Sequence, residues 1–319
     1  MEESGVKTFL VTGGCGFIGS HLCDALLAAG HKVTVLDNLS TGHLENVPQG
    51  CRVMIGDVRD RTAVLEAMAG TDGCFHLAAI ASVDKANRDW IGTHTANLTG
   101  TITALDVARR GTSGRPVPVV YASSAAVYGN PNILPLPEDA PLQPTSAYGA
   151  DKLGSELHAR VASSVHGVPT LGLRFFNVYG PRQDPASPYS GVISIFADRL
   201  LRGLPLVVHG DGQQVRDFVY VADVVRHLMA GMDRASVQGE VFNVCTGRPT
   251  TIRELAHTTA HLLGGHPELR FGPARAGDIR VSVGNPRGAI AALGVAAKIE
   301  LQQGLSALLG AARPLAVAA

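Results

Sequence analysis

Tyr148 and Lys152 stand four residues apart in "YGADK", within "AYGADKLGSELHARVASS", a segment of helical periodicity. An i, i+4 spacing puts the phenol and the ammonium on one helical face, aimed at one cleft. A free tyrosine titrates near 10, so acting as a base near neutrality needs a drop of ~3 units, about 4 kcal/mol. A lysine cation ~5 Å away, at an effective dielectric of ~20, supplies roughly 3 kcal/mol of that. The pair therefore reads as a general base and its electrostatic support. A second stretch, Ser123-Ser124-Ala125-Ala126-Val127-Tyr128-Gly129, ends an apolar run and offers hydroxyls with no acid beside them. Strand alternation points only one of two adjacent serines into a cleft. Ser124 is expected to be the one that relays or orients the proton.

Proton removal of this kind accompanies hydride transfer, and the N-terminus carries a matching signal. In "TGGCGFIG", Gly13, Gly16 and Gly19 join an apolar strand to the helix that Phe17 and Ile18 open. Glycines there permit a tight turn, approach of backbone to a pyrophosphate and close packing of helix on strand, while the helix N-terminus presents free N–H groups to the phosphates. Asp37 lies 18 residues past Gly19, at the end of the second strand. Its carboxylate suits the ribose hydroxyls of an adenosine and repels a 2′-phosphate. The following "NLSTGHLENVPQGC" holds no Arg or Lys to offset that repulsion. NAD is expected rather than NADP, and its nicotinamide charge would add to that of Lys152 on Tyr148.

Two other patterns read as structural. His257 and His261 are four apart on "TIRELAHTTAHLL", but the glutamate of a metalloprotease motif is missing, so they read as a solvated helix face and no metal is expected. Cys15, inside the glycine loop near a helix N-terminus, has a setting that can lower a thiol pKa; it reads instead as a small residue that the turn tolerates.

These residues need a scaffold. The runs "KTFLVTG", "HKVTVLD", "CRVMIGD", "DGCFHLAA", "VPVVYASS" and "GVPTLGLRFFN" alternate with amphipathic stretches, which predicts βαβ units and a doubly wound parallel sheet of Rossmann type. Ligands then bind at the carboxyl ends of the strands. From residue 176 the punctuation changes to a Pro/Gly/Ser loop, irregular elements and a helix near 252–263. The expected division is a dinucleotide domain over 1–175, receiving part of 217–246, and a smaller α/β substrate domain over 176–319. The 319 residues are 45% apolar, and 27 basic residues balance 27 acidic ones, so no global field points to nucleic acid or an anionic membrane. Five scattered cysteines suit a reduced cytoplasmic protein. No signal peptide or membrane helix is expected.

"TGGCGFIG", "HLAA", "SSAAVYG", "YGADK", "RFFNVYGPRQDP" and "VRDFVYVADVV" together resemble the extended short-chain dehydrogenase/reductase family of nucleotide-sugar epimerases and dehydratases, and most closely its UDP-hexose and UDP-N-acetylhexosamine 4-epimerases. The resemblance implies a bound NAD, a UDP-sugar substrate and a homodimer joined through helices at about 90–110 and 147–166. It implies cofactor contacts from Asn38, Ser40, Thr41 and Gly42, from Asp57 and Val58 at the adenine, from Leu77, Ala78, Ala79 and Asn97, and from Phe176 at the nicotinamide. For the substrate it implies Asn177 at the phosphates, Val192, Val207 to His209 at the uracil, Arg216 and Arg275 at the pyrophosphate, and Asp278. Histidine at 209 stands where an aromatic often stacks. Ser282 falls at a pocket-wall position that is tyrosine in relatives restricted to plain hexoses and small in those accepting N-acetyl groups.

The two alanines after Ser124 separate the family's chemistries. Dehydratases and decarboxylases carry acids where Ala125 and Ala126 stand, and a methyl group neither donates nor accepts a proton. Oxidation to a 4-keto sugar is supported and acid-assisted elimination is not, so epimerisation is the expected activity. The rivals are epimerisation of another nucleotide sugar such as a UDP-glucuronate, a net NAD-dependent oxidoreductase, and a non-catalytic NAD-binding protein. The last has no use for Tyr148 and Lys152 in this arrangement.

Overall fold

Strands that are apolar throughout are stable only when both faces of their sheet are covered, and this chain supplies helices for both. The computed structural model describes residues 5–111, 114–131, 133–185, 191–274 and 279–312. The first half runs β1 Thr8–Thr12, α1 Phe17–Ala28, β2 Lys32–Asp37, β3 Arg52–Ile55, α2 Arg61–Met68, β4 Gly73–His76, α3 Val83–Arg88, α4 Trp90–His94, α5 Gly100–Ala108, β5 Val119–Ser124, α6 Ala147–His166 and β6 Thr170–Phe175. The second runs β7 Asn177–Tyr179, α7 Val192–Leu201, β8 Leu206–His209, β9 Val215–Arg216, β10 Phe218–Tyr220, α8 Val221–Arg234, β11 Glu240–Val244, β12 Thr250–Thr251, α9 Ile252–Leu262, β13 Leu269–Gly272, β14 Val281–Ser282, α10 Arg287–Leu293 and α11 Leu301–Ala312.

The main sheet has seven strands in the order β11-β6-β5-β4-β1-β2-β3, all parallel. This is the doubly wound Rossmann-type arrangement. On one face α1 and α8 cover Phe9, Val11, Val35, Phe75 and Leu171; on the other α2, α5 and α6 cover Leu10, Leu36, Cys74, Val119 and Tyr121. The order of strands reverses between β1 and β4, and the crevice outside their carboxyl ends is where such sheets bind ligands. β11 joins the sheet edge beside β6 after an excursion that builds a smaller module. There α7, α9 and α11 pack on β8 and β10 around Phe196, Leu206, Phe218, Leu255 and Leu305.

The stretch from 90 to 110 is not one long helix. A π turn over Thr95–Thr99 separates α4 from α5. Such single-turn π segments recur at functional sites because they re-aim a side chain. Helix α6 is continuous over its 20 residues. Ser146 caps it by accepting the Gly149 N–H at 3.1 Å, and Gly167 ends it in the left-handed conformation.

Helix α6 is tied to the sheet by a buried ion pair. Glu156 accepts from Arg174 on β6 through both carboxylate oxygens, Nε to Oε1 at 2.9 Å and Nη2 to Oε2 at 2.8 Å. Ser123 on β5 donates to the same carboxylate at 2.5 Å. Nη1 of Arg174 donates to the Tyr128 hydroxyl and the Glu138 carbonyl, both at 2.8 Å, and Tyr128 donates onward to Asn243 of β11 at 2.7 Å. Removing one member of a buried pair strands the other charge, at a cost of about 3–5 kcal/mol. Glu156→Ala should therefore destabilise the protein by that order in urea denaturation. The double replacement Glu156→Leu with Arg174→Met should cost less, because no charge is left alone; an equal or larger loss in the double variant would contradict this reading.

Candidate active site

The glycine loop between β1 and α1 forms one wall of a cavity of about 620 Å3, within the range of small-molecule sites. Gly13 holds a φ of 72°, and a β-carbon there would lie 2.8 Å from the Ala78 nitrogen; one at Gly19 would lie 2.2 Å from the Gly13 carbonyl oxygen. Only glycine permits both the turn and this packing of helix on strand. Gly16, Phe17 and Ile18 also line the cavity. Asp37, buried at the end of β2, accepts from the Cys15 N–H at 2.9 Å and the Leu39 N–H at 2.8 Å, so its carboxylate is fixed at the cavity edge. Burial, with Asp37 adjacent, pushes the Cys15 thiol up to about 12; this cysteine is a packing residue.

Asn38, Ser40, Thr41, Asp57, Val58, Leu77, Ala78, Ala79, Phe176 and Asn177 line the same cavity. Arg59 grips the Asp57 carboxylate at 2.9 and 2.8 Å and, with help from Asn38, holds its pKa down to about 2. Arg59 itself lines the cavity, a cation that the run after Asp37 did not reveal; its charge is committed to Asp57. Gly42 and Asn97 are not among the lining residues. A β-carbon on Gly42 would meet the Cys15 backbone at 2.8 Å, so its role is to let the loop close. Asn97, turned inward by the π turn, accepts from the Ile80 N–H at 2.7 Å and donates to the Ile80 carbonyl at 3.1 Å. It braces the cavity floor from behind.

Tyr148, Lys152 and Ser124 converge on this cavity, carried by α6 and the end of β5. Ser124 hydrogen-bonds the Tyr148 phenol and also accepts from the Ala126 N–H at 3.1 Å. Ser123 turns the other way, onto Glu156, as strand alternation requires. The Lys152 Nζ donates to the Ala122 carbonyl at 2.8 Å and lies 5.8 Å from the centre of the Tyr148 ring. Burial lowers Lys152 to about 8, with Asp151 opposing. The expectation for Tyr148 needs correction: burial raises its phenol above the ordinary value, and the Ser124 hydrogen bond is what opposes the rise. The alkaline shift follows from desolvation of the phenolate in a low-dielectric cleft. Ala125 and Ala126 are half-buried beside this group, outside the cavity lining.

The substrate half is only partly gathered. Val192 lines a small recess with Asn177. Val207 is exposed on β8, and His209 ends that strand with its ring near the Pro273 carbonyl at 3.3 Å. Arg216 donates to the Val215 and Ile279 carbonyls at 2.9 and 2.7 Å and is not among the cavity-lining residues. Ser282 is buried on β14 in register with Arg216; it is a strand residue and not part of the described cavity wall. Arg275 and Asp278 lie outside the described residues. His257 and His261 are exposed on α9, and no metal-binding cluster occurs among the described residues. Nor is any helix among them long and apolar enough to cross a membrane. Lys85, Asp89, Arg182 and Gln183 also line the cavity. The "GPRQDP" motif contained the last two; the segment 80–89 gave no sign of the first two.

The family model for NAD-dependent epimerases and dehydratases matches residues 9–245. A UDP-glucose 4-epimerase of Mycolicibacterium smegmatis is 37% identical over 303 residues, covering 93% of this chain and 96% of its own. The crystal structure of a UDP-glucose 4-epimerase from Thermotoga maritima, solved with UDP-glucose, superposes with a TM-score of 0.91 at 35% identity, covering 95% of this chain and 98% of its own. A UDP-N-acetylglucosamine 4-epimerase from Methanobrevibacter ruminantium, in complex with UDP-N-acetylmuramic acid, superposes with a TM-score of 0.90 at 31% identity, over 96% of this chain and 98% of its own. A glycine loop at a helix N-terminus, a fixed carboxylate at the cavity edge and a Tyr–Lys pair in one cleft agree with these likenesses: the chain belongs to the NAD-dependent epimerase/dehydratase family, and its cofactor is NAD.

Proposed function

We propose that this protein is a UDP-sugar 4-epimerase acting on a UDP-hexose and its N-acetylated counterpart. The observation that carries the reading is the convergence of Tyr148, Ser124 and Lys152 on the cavity that Asp37 also lines, with no acid at Ala125 or Ala126. NAD, when bound, supplies a reversible hydride acceptor and a positive charge close to the phenol. Tyr148 takes the proton of the sugar 4-hydroxyl, and Ser124 orients it by its hydrogen bond to the phenol. Lys152, anchored on the Ala122 carbonyl, supplies a fixed cation beneath the ring. The 4-keto sugar turns over while its nucleotide stays held, and Tyr148 returns the proton on completion. Asn177 lines the cavity where the substrate phosphates are expected, and Arg216 and Arg275 are assigned to the pyrophosphate by family likeness.

Tyr148→Phe should lower turnover by about 10² to 10⁴-fold with NAD still bound, since only the phenolic oxygen is lost. Retention of more than a tenth of wild-type activity would exclude Tyr148 as the base. The Lys152 ammonium is present below about pH 8 and is lost as the pH rises through that value. Turnover should therefore fall on the alkaline side. Because Asp151 favours the charged form, Asp151→Asn should move that limb to lower pH; a shift in the opposite direction would contradict the assignment.

Ser282 does not line the described cavity, but it stands in register with Arg216, which family likeness assigns to the pyrophosphate, and by the same likeness its small side chain leaves room there for an acetamido group on carbon 2. Ser282→Tyr should suppress interconversion of UDP-GlcNAc and UDP-GalNAc and largely spare that of UDP-Glc and UDP-Gal. Chromatographic separation of the 4-epimers reads both; a wild-type protein inert towards UDP-GalNAc would refute the N-acetyl assignment.

A homodimer is part of the same proposal. Leu157, Val161 and Val165 recur every four residues along α6 and are exposed, and Trp90 and Ile91 are exposed on α4, which packs beside it. Apolar side chains repeated along adjacent helices favour a helical interface with a second copy. Val161→Glu should convert the protein to a monomer in sedimentation analysis; an unchanged dimer would place the interface elsewhere.

A further inference from the structure

Asp151 is a carboxylate in a place where carboxylates are rare. It lies between Tyr148 and Lys152 on α6 and is only 4% exposed. Such a group stays inside a fold as an anion only when it is paired or hydrogen-bonded. Its Oδ1 is 2.7 Å from Nδ1 of His94, the last residue of α4. Its Oδ2 is buried and has no hydrogen-bond partner among the described residues. The imidazole is thus the one donor to this carboxylate among them, and facing an anion it donates from the near nitrogen whether neutral or charged. The π turn over Thr95–Thr99 is what aims it. In an unbroken helix residues 94 and 101, two turns apart, would share a face. The extra residue of a π turn rotates one relative to the other by about 100°. Thr101 therefore meets His76 of β4 at 3.2 Å, while His94 meets α6.

We propose that His94 is a positioning residue for the reaction: it holds the Asp151 carboxylate as an anion, and that anion keeps the Lys152 ammonium charged in the cleft. The inference rests on the reading of Tyr148 and Lys152 as a base and its support. Burial works against the Lys152 cation, and Asp151 is the charge that opposes it. The titratable groups on the elements packed around α6 are otherwise placed. On β4, burial first and the Lys152 charge second lower the enclosed His76 to about 3, so it is neutral. Glu156 is bonded to Arg174 of β6, and Arg174 also to Tyr128; His158 and Arg160 are exposed. On α5, Asp106 is bonded to Arg61 and Arg109. On α3, Asp84 and Arg88 are exposed, while Lys85 and the α4 cap Asp89 line the cavity. Without the imidazole Asp151 has no donor, and a buried carboxylate in that state takes up a proton instead of staying charged. Lys152 then loses its counter-charge. His94 is half-exposed and does not line the cavity, so its effect passes through Asp151.

The lysines of the chain are Lys7, Lys32, Lys85, Lys152 and Lys298, few enough for each side chain to be resolved by NMR. The test follows the ε-carbon shift of Lys152 against pH in lysine-labelled, NAD-loaded protein, with the resonance assigned by its loss in Lys152→Arg. NAD content and unfolding temperature of each variant are measured first, to establish that it is folded. His94→Leu and His94→Ala should lower the Lys152 midpoint by about one unit, the loss of one nearby opposite charge. The alkaline limb of turnover should move with it. His94→Asn, whose side-chain N–H stands where the Nδ1–H stood, should keep the wild-type midpoint. In an Asp151→Asn background His94→Leu should add no further shift, because no charge is left to hold. An unchanged midpoint in His94→Leu, or an equal fall in His94→Asn, overturns the proposal. A full shift that persists in the Asp151→Asn background overturns it as well. The expected shifts in a protein inert towards UDP-sugars would refute the epimerase reading while upholding the hold of His94 on Lys152.

Discussion

A guanidinium and a carboxylate, both buried, set the geometry of this cleft. Glu156 stands one turn beyond Lys152 and two beyond Tyr148, so the three share a face of α6. Its two-pronged bond to Arg174 fixes the rotation and height of that helix against β6, while Ser123 fixes it against β5. The residue after Ser123 is Ser124, and the residues after Arg174 lead through Phe175 to Phe176 and Asn177, all on the cavity. A single network thus registers Tyr148, its hydroxyl partner Ser124 and the Phe176–Asn177 wall of the cavity. A planar fork with five donors suits this task better than a lysine would, because it ties several acceptors in fixed directions. Buried pairs contribute little net stability when compared with apolar packing; here the pair's yield is positional.

The cavity is electrostatically divided. On one side Arg59 holds the Asp57 carboxylate ionised, while two backbone donors fix the Asp37 carboxylate in place. At the reactive end stands Lys152, whose ammonium is weakened by burial, and Tyr148, whose phenolate is disfavoured by the same burial. Neither group is primed in the protein alone. Desolvation raises the cost of both charged forms, and each charge offsets that cost for the other when a further cation arrives.

The smaller module is interleaved with the sheet. The chain leaves β6, forms β7, α7 and β8, returns through β10 and α8, and closes the sheet with β11; α9 and α11 complete the module, while α10 packs back on α8 and β11. Asp217 secures the return: fully buried, it accepts from the Thr246 N–H and hydroxyl at 2.8 and 2.6 Å and from the Gly247 N–H at 2.8 Å. It lies next to Arg216, so the arginine's backbone is set by the same junction that joins the two halves. Repeated crossings of the chain between sheet and module, with a buried carboxylate at the seam, hold the two parts in a fixed relation.

Much of this was legible in the residues themselves. The glycine spacing 13, 16, 19, the aspartate after the second strand, and the i, i+4 Tyr–Lys pair are local patterns, since each depends on a turn or on one helix. The six apolar runs of the first half became six parallel strands; the five inner ones are largely buried and read as continuous hydrophobic segments, while β3 is an exposed edge strand. What the tertiary structure alone decided concerns residues whose partners are distant in sequence. "EVFNV" is a short run that becomes a sheet strand only because β6 offers a free edge some 65 residues earlier. Asn97 looked like a lining residue until the π turn aimed it at Ile80. Ser282 is brought beside Arg216 only by the pairing of β14 with β9. Ser123 and Ser124 have identical chemistry, and only the pleat together with the carboxylate of Glu156 assigns one to the scaffold and the other to the site. Local sequence specifies which groups are present and how each element is built; which of them face one another is set by packing between elements, and that information is spread over the whole chain.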